Sequence, residues 1–393
     1  MDTIFSSATT AQKSAIKIIR ISGKESLKIP EIFSFKPTKP RVATFRRLYD
    51  SNKNIIDDAM VISLPGPASV TGENVFEIHI HGSIVVEKKI YEHLTKRRGF
   101  RIANRGEFTK RAFLNGKIDL TQAEGINDLI NAETENQFKS SILQYEGALY
   151  EKLKLWRNDI IFLRSKIEAF IDFSDEELPE EIEIEFKNKL LCLLKDMKSS
   201  IKSSNYGERI RNGFIITILG KPNVGKSSLI NYLSNKNVAI VTDEEGTTRD
   251  ILEVFLDFGG FPIILNDTAG LRKTSSKVEK IGINRALNRA EKSDLILILS
   301  DNGDYHIPDL KVATKKILVH TKSDLKKECN GKGYKISVKN HEGIKELLEV
   351  IVDYLKMLAP PENVLLTRKR HVQGVKRAVT ALKQISTINL TQN

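Results

Sequence analysis

The stretch ILGKPNVGKSSLI, residues 218–230, limits the possible folds of this chain more than any other feature. Gly220 to Ser227 matches the pattern G-x-x-x-x-G-K-S/T, whose backbone N–H groups cradle phosphates when the loop joins a strand to a helix. The apolar run FIITILG precedes the loop, and SSLINYLS, which has helical spacing, follows it. The context predicts a phosphate-binding loop in a parallel sheet that is covered by helices.

The residue types in this loop suit phosphate chemistry. In loops of this kind the Lys reaches the terminal phosphates and the Ser or Thr hydroxyl ligates Mg²⁺. Lys226 is therefore a predicted catalytic and nucleotide-binding residue, and Ser227 is a predicted Mg²⁺ ligand. The other loop residues predicted to contact the nucleotide are Asn223, Val224, Gly225 and Ser228.

Two polar segments strengthen this prediction. In NDTAG, residues 266–270, Asp267 ends an apolar run, where a carboxylate associated with Mg²⁺ is expected. TDEEGTTRD, residues 242–250, places Thr248 to complete the magnesium shell. Each segment alone is typical of a polar turn, but their order and spacing after the phosphate loop indicate a nucleoside-triphosphate site. The residues predicted to contact the nucleotide here are Thr242, Thr247, Thr248, Asp267, Thr268, Ala269 and Gly270.

The segment TKSD, residues 321–324, predicts which base is bound. Asp324 can accept two hydrogen bonds from the N1–H and N2–H₂ groups of guanine, which adenine does not offer. Lys322 is predicted to lie along the base, and Ser337 is predicted to close the pocket. Thr321 stands where Asn is commoner, so we expect guanine selectivity to remain with weaker affinity.

The residues for hydrolysis are unusual. Many GTPases orient the attacking water with a Gln directly after the D-T-A-G run, but that residue here is Leu271. No arginine finger is recognisable. The side-chain oxygen of Asn223, with backbone oxygens around Thr242 to Thr247, is a predicted site for a monovalent cation between the phosphates. The alternative is that Asn223 only caps or turns the loop.

Different patterns precede the sheet region. Residues 1 to about 116 combine alternating strands, such as FEIHIHG, with short helices, which predicts an α+β domain. From Asp119, which forms a capping-box pattern with Gln122, helical spacing continues to about residue 170, and a second helix is expected at about 184–204. The apolar residues with this spacing are Leu120, Ala123, Ile130, Phe138, Leu149, Leu153, Trp156, Leu163, Ile167 and Phe170.

Helical spacing returns after the sheet region, in TRKRHVQGVKRAVTALKQIS. We therefore predict an α/β sheet domain of the P-loop, Ras-like type inserted in an all-α domain, after an N-terminal α+β domain. The predicted bounds are 1–116 for the N-terminal domain, 117–208 and 357–393 for the two helical parts, and 209–356 for the inserted domain.

Charge and cysteine content bear on the binding partners and on the cellular compartment of the protein. Lys and Arg number 62 against 50 Asp and Glu, a net charge of +12, which suits an RNA partner or an anionic ligand and equally a lysine-rich surface. Cys192 and Cys329 lie far apart without metal-ligand spacing, which favours a reducing compartment. The N-terminus does not resemble a signal peptide, and no apolar run is long enough to span a membrane. A cytoplasmic protein is expected.

Several longer runs resemble a known family. They are SLPGPASVTGENVFEIHIHG, GEFTKRAFLNGKIDLTQAEGINDLI, IDFSDEE, GKPNVGKSSLIN, IVTDEEGTTRD, DTAGLRKTSSKVEKIGI and RKRH. On these runs the chain resembles the MnmE or TrmE family of tRNA modification GTPases over nearly all its 393 residues. A stand-alone GTPase of ribosome assembly would share the phosphate loop but not GEFTKRAFLNGK.

The resemblance implies a homodimer whose N-terminal domain pairs two chains and binds formyl- or methylene-tetrahydrofolate as one-carbon donor. It implies G domains that meet across their nucleotides when K⁺ is bound, which drives GTP hydrolysis. It also implies a flavin-dependent partner of the MnmG or GidA type, in a heterotetramer. Together the two proteins would add a carboxymethylaminomethyl-type group to the wobble uridine of certain tRNAs.

The resemblance also assigns residues. The implied K⁺ ligands are Asn223, Thr242, Glu244 through its backbone, and Thr247, and the implied Mg²⁺ ligands are Ser227 and Thr248. Glu279 resembles the acid that orients the attacking water, so it is a second predicted catalytic residue. The implied folate contacts are Arg20, Glu77 and Lys117. The alternative for them is ordinary surface ion pairs. Glu77, His79 and His81 share one strand face, which we interpret as the polar face of a half-buried strand and not as a metal site.

The chain departs from the family pattern at several points. It ends in ISTINLTQN, where the family continues to a terminal C-x-G-K, and NRGEF and TTAQKSA replace a P-G-E-F run and a Pro/Gly-rich loop. A truncated GTP-binding scaffold that no longer supports tRNA modification is therefore one alternative. A general RNA- or ribosome-associated GTPase is another.

Overall fold

The computed structural model of the chain describes residues 2–10, 12–172, 180–236, 253–267, 290–305, 314–325, 333–360 and 363–386. The chain divides into two compact units, Met1–Ala123 and Glu124–Asn393. Buried apolar clusters form separate cores within the two units.

The first unit is a six-stranded sheet with short helices. Its strands are β1 (Thr3–Ser7), β2 (Ser14–Ser22), β3 (Thr44–Tyr49), β4 (Ile55–Leu64), β5 (Val75–Gly82) and β6 (Phe100–Ile102), in the spatial order β3-β4-β5-β2-β1-β6. Neighbouring strands are antiparallel except β1 and β6. The helices are α1 (Ile29–Ile32), α2 (Ile84–Thr95) and α3 (Glu107–Leu114), with a 3-10 helix at Lys24–Lys28.

One face of this sheet is buried and the other is more polar. Along β5, Phe76, Ile78 and Ile80 are buried, while Glu77 and His79 between them are half-buried, as the two-residue period of a strand requires. Burying one such apolar side chain stabilises the fold by about 1.5–3 kcal/mol. A slip of one residue would move the apolar side chains out of the core, so this burial fixes the register of the sheet.

Four helices follow: α4 (Leu120–Ile130), α5 (Glu135–Tyr145), α6 (Ala148–Asp172) and α7 (Glu180–Asn212). The predicted capping box before α4 is present. Asp119 Oδ1 accepts from the backbone N of Gln122 at 3.1 Å, and Gln122 Oε1 accepts from the backbone N of Asp119 at 3.0 Å.

The prediction of unbroken helical spacing to residue 170 is wrong. A second capping box, formed by Thr134 and Gln137, starts α5, and Gly147, with a φ of 85°, separates α5 from α6 in a conformation that suits glycine. Ile130, one of the apolar residues behind the prediction, is 78% exposed. The second predicted helix is also longer than expected, since α7 extends beyond residues 184–204 at both ends.

Residues from Phe214 onward form a second six-stranded sheet. Its strands are β7 (Phe214–Gly220), β8 (Glu253–Phe258), β9 (Phe261–Asp267), β10 (Leu295–Ser300), β11 (Lys315–His320) and β12 (Tyr334–Lys335), in the order β12-β11-β10-β7-β9-β8. All neighbours are parallel except β8 and β9. The fully buried β10 is typical of a parallel sheet covered on both faces. Helix α8 (Lys226–Lys236) follows β7, and α9 (Ile344–Met357) follows β12.

The last helix, α10 (Lys369–Ser386), returns to the helical region and packs along α7. The chain segments that enter and leave the second sheet touch each other. A Cβ on Gly207, near the end of α7, would lie 2.7 Å from Val364 Cγ1, just before α10. The sheet is thus inserted between two helices of one bundle, and the predicted fold class is confirmed. The exact domain bounds stay a prediction.

Within the described ranges, no helix is long and apolar enough to cross a membrane.

Candidate nucleotide-binding site

The phosphate loop joins the end of β7 to the start of α8, as the motif predicts. Gly220 has a φ of 156°, and a Cβ there would lie 2.6 Å from the carbonyl oxygen of Leu299. Only glycine fits at this turn. Gly225 has a φ of 98°, which also favours glycine. The first N–H groups of α8 have no partners within the helix, so this end of the helix suits an anion.

Lys226 lies at the first position of α8 and is 8% exposed. Its Nζ donates to the carbonyl oxygens of Gly220 at 2.7 Å and Lys221 at 2.8 Å. The ammonium of Lys226 therefore lies inside the loop in which the phosphates of a nucleotide would bind. Ser227 and Ser228, the next two residues, are exposed.

The predicted base loop is joined directly to the phosphate loop through Thr321. The Thr321 hydroxyl is buried and donates to the carbonyl oxygen of Val224 at 2.6 Å. Its backbone N donates to the carbonyl oxygen of Ser300, at the end of β10, at 2.8 Å. A threonine at this position thus makes a contact between the two loops.

Lys322 makes a second contact between these loops. Its Nζ donates to the backbone oxygen of Asn223 at 2.7 Å and to Asp301 Oδ2 at 3.1 Å. Asn223 and Lys322 both have positive φ angles, 63° and 56°, which are uncommon for residues other than glycine. Asn223 is exposed.

The predicted base-reading carboxylate is positioned by Ser337. The Ser337 hydroxyl donates to Asp324 Oδ1 at 2.7 Å and accepts from the backbone N of Asn340 at 3.1 Å. A carboxylate can accept several hydrogen bonds, so Asp324 keeps acceptor capacity for a base beside its bond from Ser337. Among the predicted residues, the structure thus brings Thr321 into contact with Val224, Lys322 with Asn223, and Ser337 with Asp324.

Asp267 ends β9 beside β7, with its Cα paired in register with that of Ile218. The carboxyl ends of neighbouring parallel strands form the common ligand-binding edge of such sheets. The other predicted residues of the site lie outside the described residues: Thr242, Glu244, Thr247, Thr248, Thr268, Ala269, Gly270 and Glu279.

The described residues fit the cations that the family implies. Ser227 offers an exposed hydroxyl beside Lys226, and Asn223 offers an exposed amide on a loop held by Lys322. Oxygen donors of this kind suit Mg²⁺ and other hard cations. The described residues contain no group of three or more His, Cys, Asp or Glu that would hold a metal.

In the first unit, two of the three predicted folate residues are in contact. Arg20 Nε donates to Glu77 Oε1 at 2.7 Å, and His79 Nε2 lies 3.4 Å from Glu77 Oε2. The Arg20 guanidinium carbon also lies 6.0 Å from the centre of the Phe108 ring. Lys117 packs against Gly72, where a Cβ would come 3.1 Å from Lys117 Cγ.

The GEFTK segment that carries Phe108 is anchored by a cluster of ion pairs. Glu107 pairs with Arg101 at 2.5 Å and Arg111 at 3.3 Å, and its Oε2 accepts from the backbone N of Asn104 at 2.8 Å. The hydrogen bond from Arg101 is the main cause that lowers the pKa of Glu107 to about 2. This cluster fixes α3, and with it the ring beside Arg20.

Two residues of these sites were missed from the sequence. Asp301 pairs with Lys322, and its signal is a carboxylate directly after the apolar strand β10. Phe108 has no such signal, because its contact with Arg20 joins positions 88 residues apart in the sequence.

Family models cover almost the whole chain. The model described as the GTP-binding protein TrmE N-terminus matches residues 3–117, and the MnmE helical domain model matches residues 120–392. A tRNA modification GTPase MnmE from Ruegeria sp. (strain TM1040) is 39% identical over 384 residues, which are 98% of this chain and 88% of that protein. The protein of the same name from Anaplasma marginale (strain St. Maries) is 39% identical over 399 residues, 98% of this chain and 89% of that protein.

Among solved structures, the G domain of the T. maritima FeoB iron transporter is 28% identical, with a TM-score of 0.27, and covers 36% of this chain and 98% of its own. The family models and the full-length relatives agree with the motifs and with the phosphate-loop geometry. The chain therefore belongs to the MnmE or TrmE family of tRNA modification GTPases.

Proposed function

We propose that this chain hydrolyses GTP to GDP and phosphate in a K⁺-dependent reaction, and that hydrolysis switches its conformation during modification of the tRNA wobble uridine. The proposed partner is a flavin-dependent protein of the MnmG type, and the proposed product carries a carboxymethylaminomethyl-type group. The observation that carries the GTP part is the contact of loop 321–324 with the phosphate loop, through Thr321 and Lys322.

The described residues of the nucleotide site have distinct roles in this reaction. The N–H groups at the start of α8 bind phosphate oxygens, and Lys226 turns its ammonium from the carbonyls of Gly220 and Lys221 towards the terminal phosphates. Positioning and charge stabilisation of this kind are the main contributions of a protein to phosphoryl transfer. Asp324 accepts from the guanine edge while Ser337 holds the carboxylate in place.

Mg²⁺ and K⁺ supply positive charge at the phosphate oxygens when they are bound. Ser227 would hold Mg²⁺, and Asn223 would hold K⁺ through its side-chain oxygen. The remaining proposed ligands, and Glu279 as the acid that orients water, lie outside the described residues. Positive charge from K⁺ would replace that of an arginine finger, which is not recognisable in the sequence.

The position of the β8–β9 hairpin is one observation in favour of the proposed conformational switch. It lies in the chain between the two segments that carry the proposed cation ligands and Glu279. Its tip is fixed to the start of α5, because the backbone N of Asn136 donates to the Gly260 oxygen at 3.1 Å. A Cβ on Gly260 would also lie 3.4 Å from Glu135 Cβ. A shift of the hairpin would therefore move α5.

A polar cleft of about 330 Å³ lies between α4, α5 and the end of α7, and it leaves space for a movement of α5. It is lined by Asn127, Asp128, Asn131, Gln137, Ser140, Ser141, Gln144, Arg211, Asn212 and Thr367. Gln137 Nε2 donates to the Arg211 oxygen at 3.1 Å, and Arg211 pairs with Asp128 at 3.0 Å. These bonds join α4 and α5 to the residues that lead into β7, and polar partners of this kind can exchange with water during a rearrangement.

The Arg20–Glu77 pair supports a folate site in the first unit. Arg20 keeps further guanidinium N–H groups beyond its bond to Glu77, and Phe108 offers a ring face beside it. A fixed cation, a carboxylate and an aromatic ring suit a flat heteroaromatic ligand with an acidic tail. The proposed assembly is a homodimer that joins the flavin-dependent partner.

Two measurements test the proposal. The first is hydrolysis of GTP by the purified chain in KCl and in NaCl, with Lys226→Ala as the inactive control. The second is mass spectrometry of wobble nucleosides from cells that lack their own copy of the protein and receive this chain. We expect faster hydrolysis in KCl and a restored nucleoside with the unmutated chain only. Equal rates in both salts would refute the K⁺ role, and hydrolysis without the nucleoside would refute a role in modification.

A further inference from the structure

Helices α4 and α5 are held in a different way from the other helices of the bundle. Helices α6, α7 and α10 share one buried apolar cluster, to which Trp156, Leu194 and Val379 belong. Helices α4 and α5, which the structure describes in full, add no residue to this cluster, and every Leu, Ile and Phe side chain on them is at least partly exposed. Elements with few buried apolar contacts open at a lower cost in free energy. We therefore expect α4 and α5 to move more readily than the three helices of the cluster.

The contacts of α4 with α7 and α10 are made by two carboxylates that lie one helical turn apart, Glu124 and Asp128. Asp128 Oδ1 accepts from Arg211 Nε, at the end of α7, at 3.0 Å. The same oxygen accepts from Arg368 Nη2, just before α10, at 2.7 Å. One carboxylate oxygen thus joins α4 to two other chain segments.

Glu124 makes the corresponding contact with the first turn of α10. Its two oxygens each accept from Arg370 at 2.7 Å, and its Oε2 lies 2.9 Å from His371 Nε2. Burial acts to raise the pKa of Glu124, but the hydrogen bond from Arg370 and the charge of Arg368 outweigh it, so this pKa lies below its usual value. Glu124 is therefore ionised at neutral pH. We refer to the following residues as the α4 ion-pair cluster: Glu124, Asp128, Arg211, Arg368, Arg370 and His371.

The cluster fixes α4 by the geometry of its bonds. Asp128 is 13% exposed and Glu124 is 20% exposed, so both carboxylates have lost much of their hydration. The loss of hydration offsets much of the attraction in a buried ion pair, and the remaining gain depends on well-aligned hydrogen bonds. A small displacement of α4 would therefore be enough to break the bonds of Asp128 and Glu124.

A series of contacts connects the nucleotide sheet to α4. The tip of the β8–β9 hairpin is bonded to the start of α5, where the backbone N of Asn136 donates to the Gly260 oxygen at 3.1 Å. The other end of α5 packs tightly on α4, since a Cβ on Gly125 would lie 2.7 Å from the backbone N of Tyr145. A shift of the hairpin tip would therefore displace α5 and, with it, α4.

The end of α7 is fixed to other strands of the sheet. Arg209 pairs with Asp294 Oδ1 at 2.5 Å, and Asp294 Oδ2 accepts from the backbone N of Ile215, in β7, at 2.9 Å. Arg211, two residues after Arg209, therefore keeps its place beside β7 when the hairpin tip shifts. The bond between Asp128 and Arg211 would then lengthen, and water from the adjoining polar cleft can replace it.

We propose that the α4 ion-pair cluster is a nucleotide-dependent switch, closed in the arrangement described above and opened when bound GTP shifts the β8–β9 hairpin. The inference rests on the proposed function, because it needs a hairpin that responds to the nucleotide. Ion pairs suit this role, since guanidinium and carboxylate groups are hydrated again when they separate. A contact made of apolar side chains would expose those side chains to water on opening, which is unfavourable.

The test is amide hydrogen exchange of the full chain, followed by mass spectrometry in α4 and in the first turn of α10. The chain is measured in Mg²⁺ and K⁺ with GDP, and again with a GTP analogue that is not hydrolysed. Asp128→Asn keeps the shape of the side chain and removes the charge that Arg211 and Arg368 share. The matched control is Asp196→Asn, which removes a paired carboxylate that bonds Lys152 and Trp156 of α6.

In the unmutated chain we expect exchange in α4 to be about three- to tenfold faster with the analogue than with GDP, because opening of the cluster frees the helix. Asp128→Asn should exchange at the faster rate with both nucleotides, so that the nucleotide no longer matters. Asp196→Asn should keep the dependence on the nucleotide. Arg370→Gln, which removes a cluster residue that is 48% exposed, should act like Asp128→Asn and replaces it if that variant does not fold.

Two results would overturn the inference. One is equal exchange of α4 with GDP and with the analogue in the unmutated chain. The other is loss of the nucleotide dependence in Asp196→Asn as well as in Asp128→Asn, because that result would assign the effect to a general loss of stability.

GTP hydrolysis by the same proteins separates this inference from the proposed function. None of the substituted residues belongs to the nucleotide site, and distant sites act nearly independently, so hydrolysis in KCl should stay within about twofold of the unmutated rate. Hydrolysis that depends on K⁺, with exchange in α4 that ignores the nucleotide, would remove only this inference. Exchange in α4 that follows the nucleotide, without hydrolysis of GTP, would instead count against the proposed function.

Discussion

Removal of the Thr321 hydroxyl isolates the contact that joins the base loop to the phosphate loop. Thr321→Val keeps the size and shape of the side chain but leaves the carbonyl oxygen of Val224 without its donor at 2.6 Å. The Ser300 oxygen keeps its bond from the Thr321 backbone N at 2.8 Å. The substitution therefore leaves one buried acceptor of the phosphate loop without a donor, and it also removes the longer contact of the hydroxyl with the Ser300 oxygen at 3.3 Å.

A buried polar group without its partner costs about 1–3 kcal/mol, and a neutral hydrogen bond contributes about 0.5–1.5 kcal/mol. Because the phosphate loop is partly open to water at Asn223, we take the lower half of this range, about 1–2 kcal/mol. If the loss falls on the loop conformation that binds phosphate, the dissociation constants for GTP and GDP rise about 5- to 30-fold. Thr321→Ser keeps the hydroxyl and should bind within about threefold of the unmutated chain.

The assay is titration with a fluorescent guanine nucleotide, together with thermal unfolding of the nucleotide-free proteins. Unfolding shows how much of the loss falls on stability and how much on binding. Equal affinity of Thr321→Val and the unmutated chain would refute the reasoning. So would an equally large loss in Thr321→Ser, because that result would assign the effect to the methyl group.

Three further predictions concern single residues. Asn223→Ala is expected to abolish the stimulation of hydrolysis by K⁺ while nucleotide binding persists, and a variant that K⁺ still stimulates would exclude Asn223 as the ligand. Asp324→Asn should shift preference from guanine towards xanthine, since the amide donates where the carboxylate accepts; unchanged GTP affinity in a competition assay would contradict this. Glu107 has a pKa of about 2 in the fold against about 4.3 when unfolded, so its stabilisation is complete above pH 4.3 and is lost as the pH falls towards 2. Glu107→Gln should lower the free energy of unfolding of the first unit by roughly 2 kcal/mol at pH 7, allowing for partial exposure, and urea unfolding that is unchanged at pH 7 would argue against it.

The sequence predicts the second sheet well because its strands carry strong local signals. The phosphate-loop motif fixes a strand, a turn and a helix in order, and the buried strands read as short apolar runs. Strand β8 carries a weaker signal, because EVFLDF mixes acidic and apolar residues, as an edge strand does. The base loop could be placed near the phosphate loop because both follow strand ends at one edge of the sheet, but its bonds from Thr321 to Val224 and from Lys322 to Asn223 were not predicted.

The helical region was harder to predict, for a physical reason. Apolar residues continue across the turns at Thr134 and Gly147, so their spacing alone does not show where helices end. Contacts such as that of Lys322 with Asp301 join residues 21 positions apart, and no local pattern signals them. The positive φ of Asn223 is likewise a property of the folded loop.

The contact of Gly207 with Val364 has a consequence for how the inserted sheet can move. Two chain crossings connect the sheet to the helices, and at this glycine they are in direct contact, because a Cβ there would lie 2.7 Å from Val364 Cγ1. Two chain connections at well separated points would hold the sheet at two places, whereas two connections at one point hold it at only one place. The nucleotide domain is therefore connected by the chain to the helices at one place, and the bond between Asn136 and Gly260 holds it at a second place.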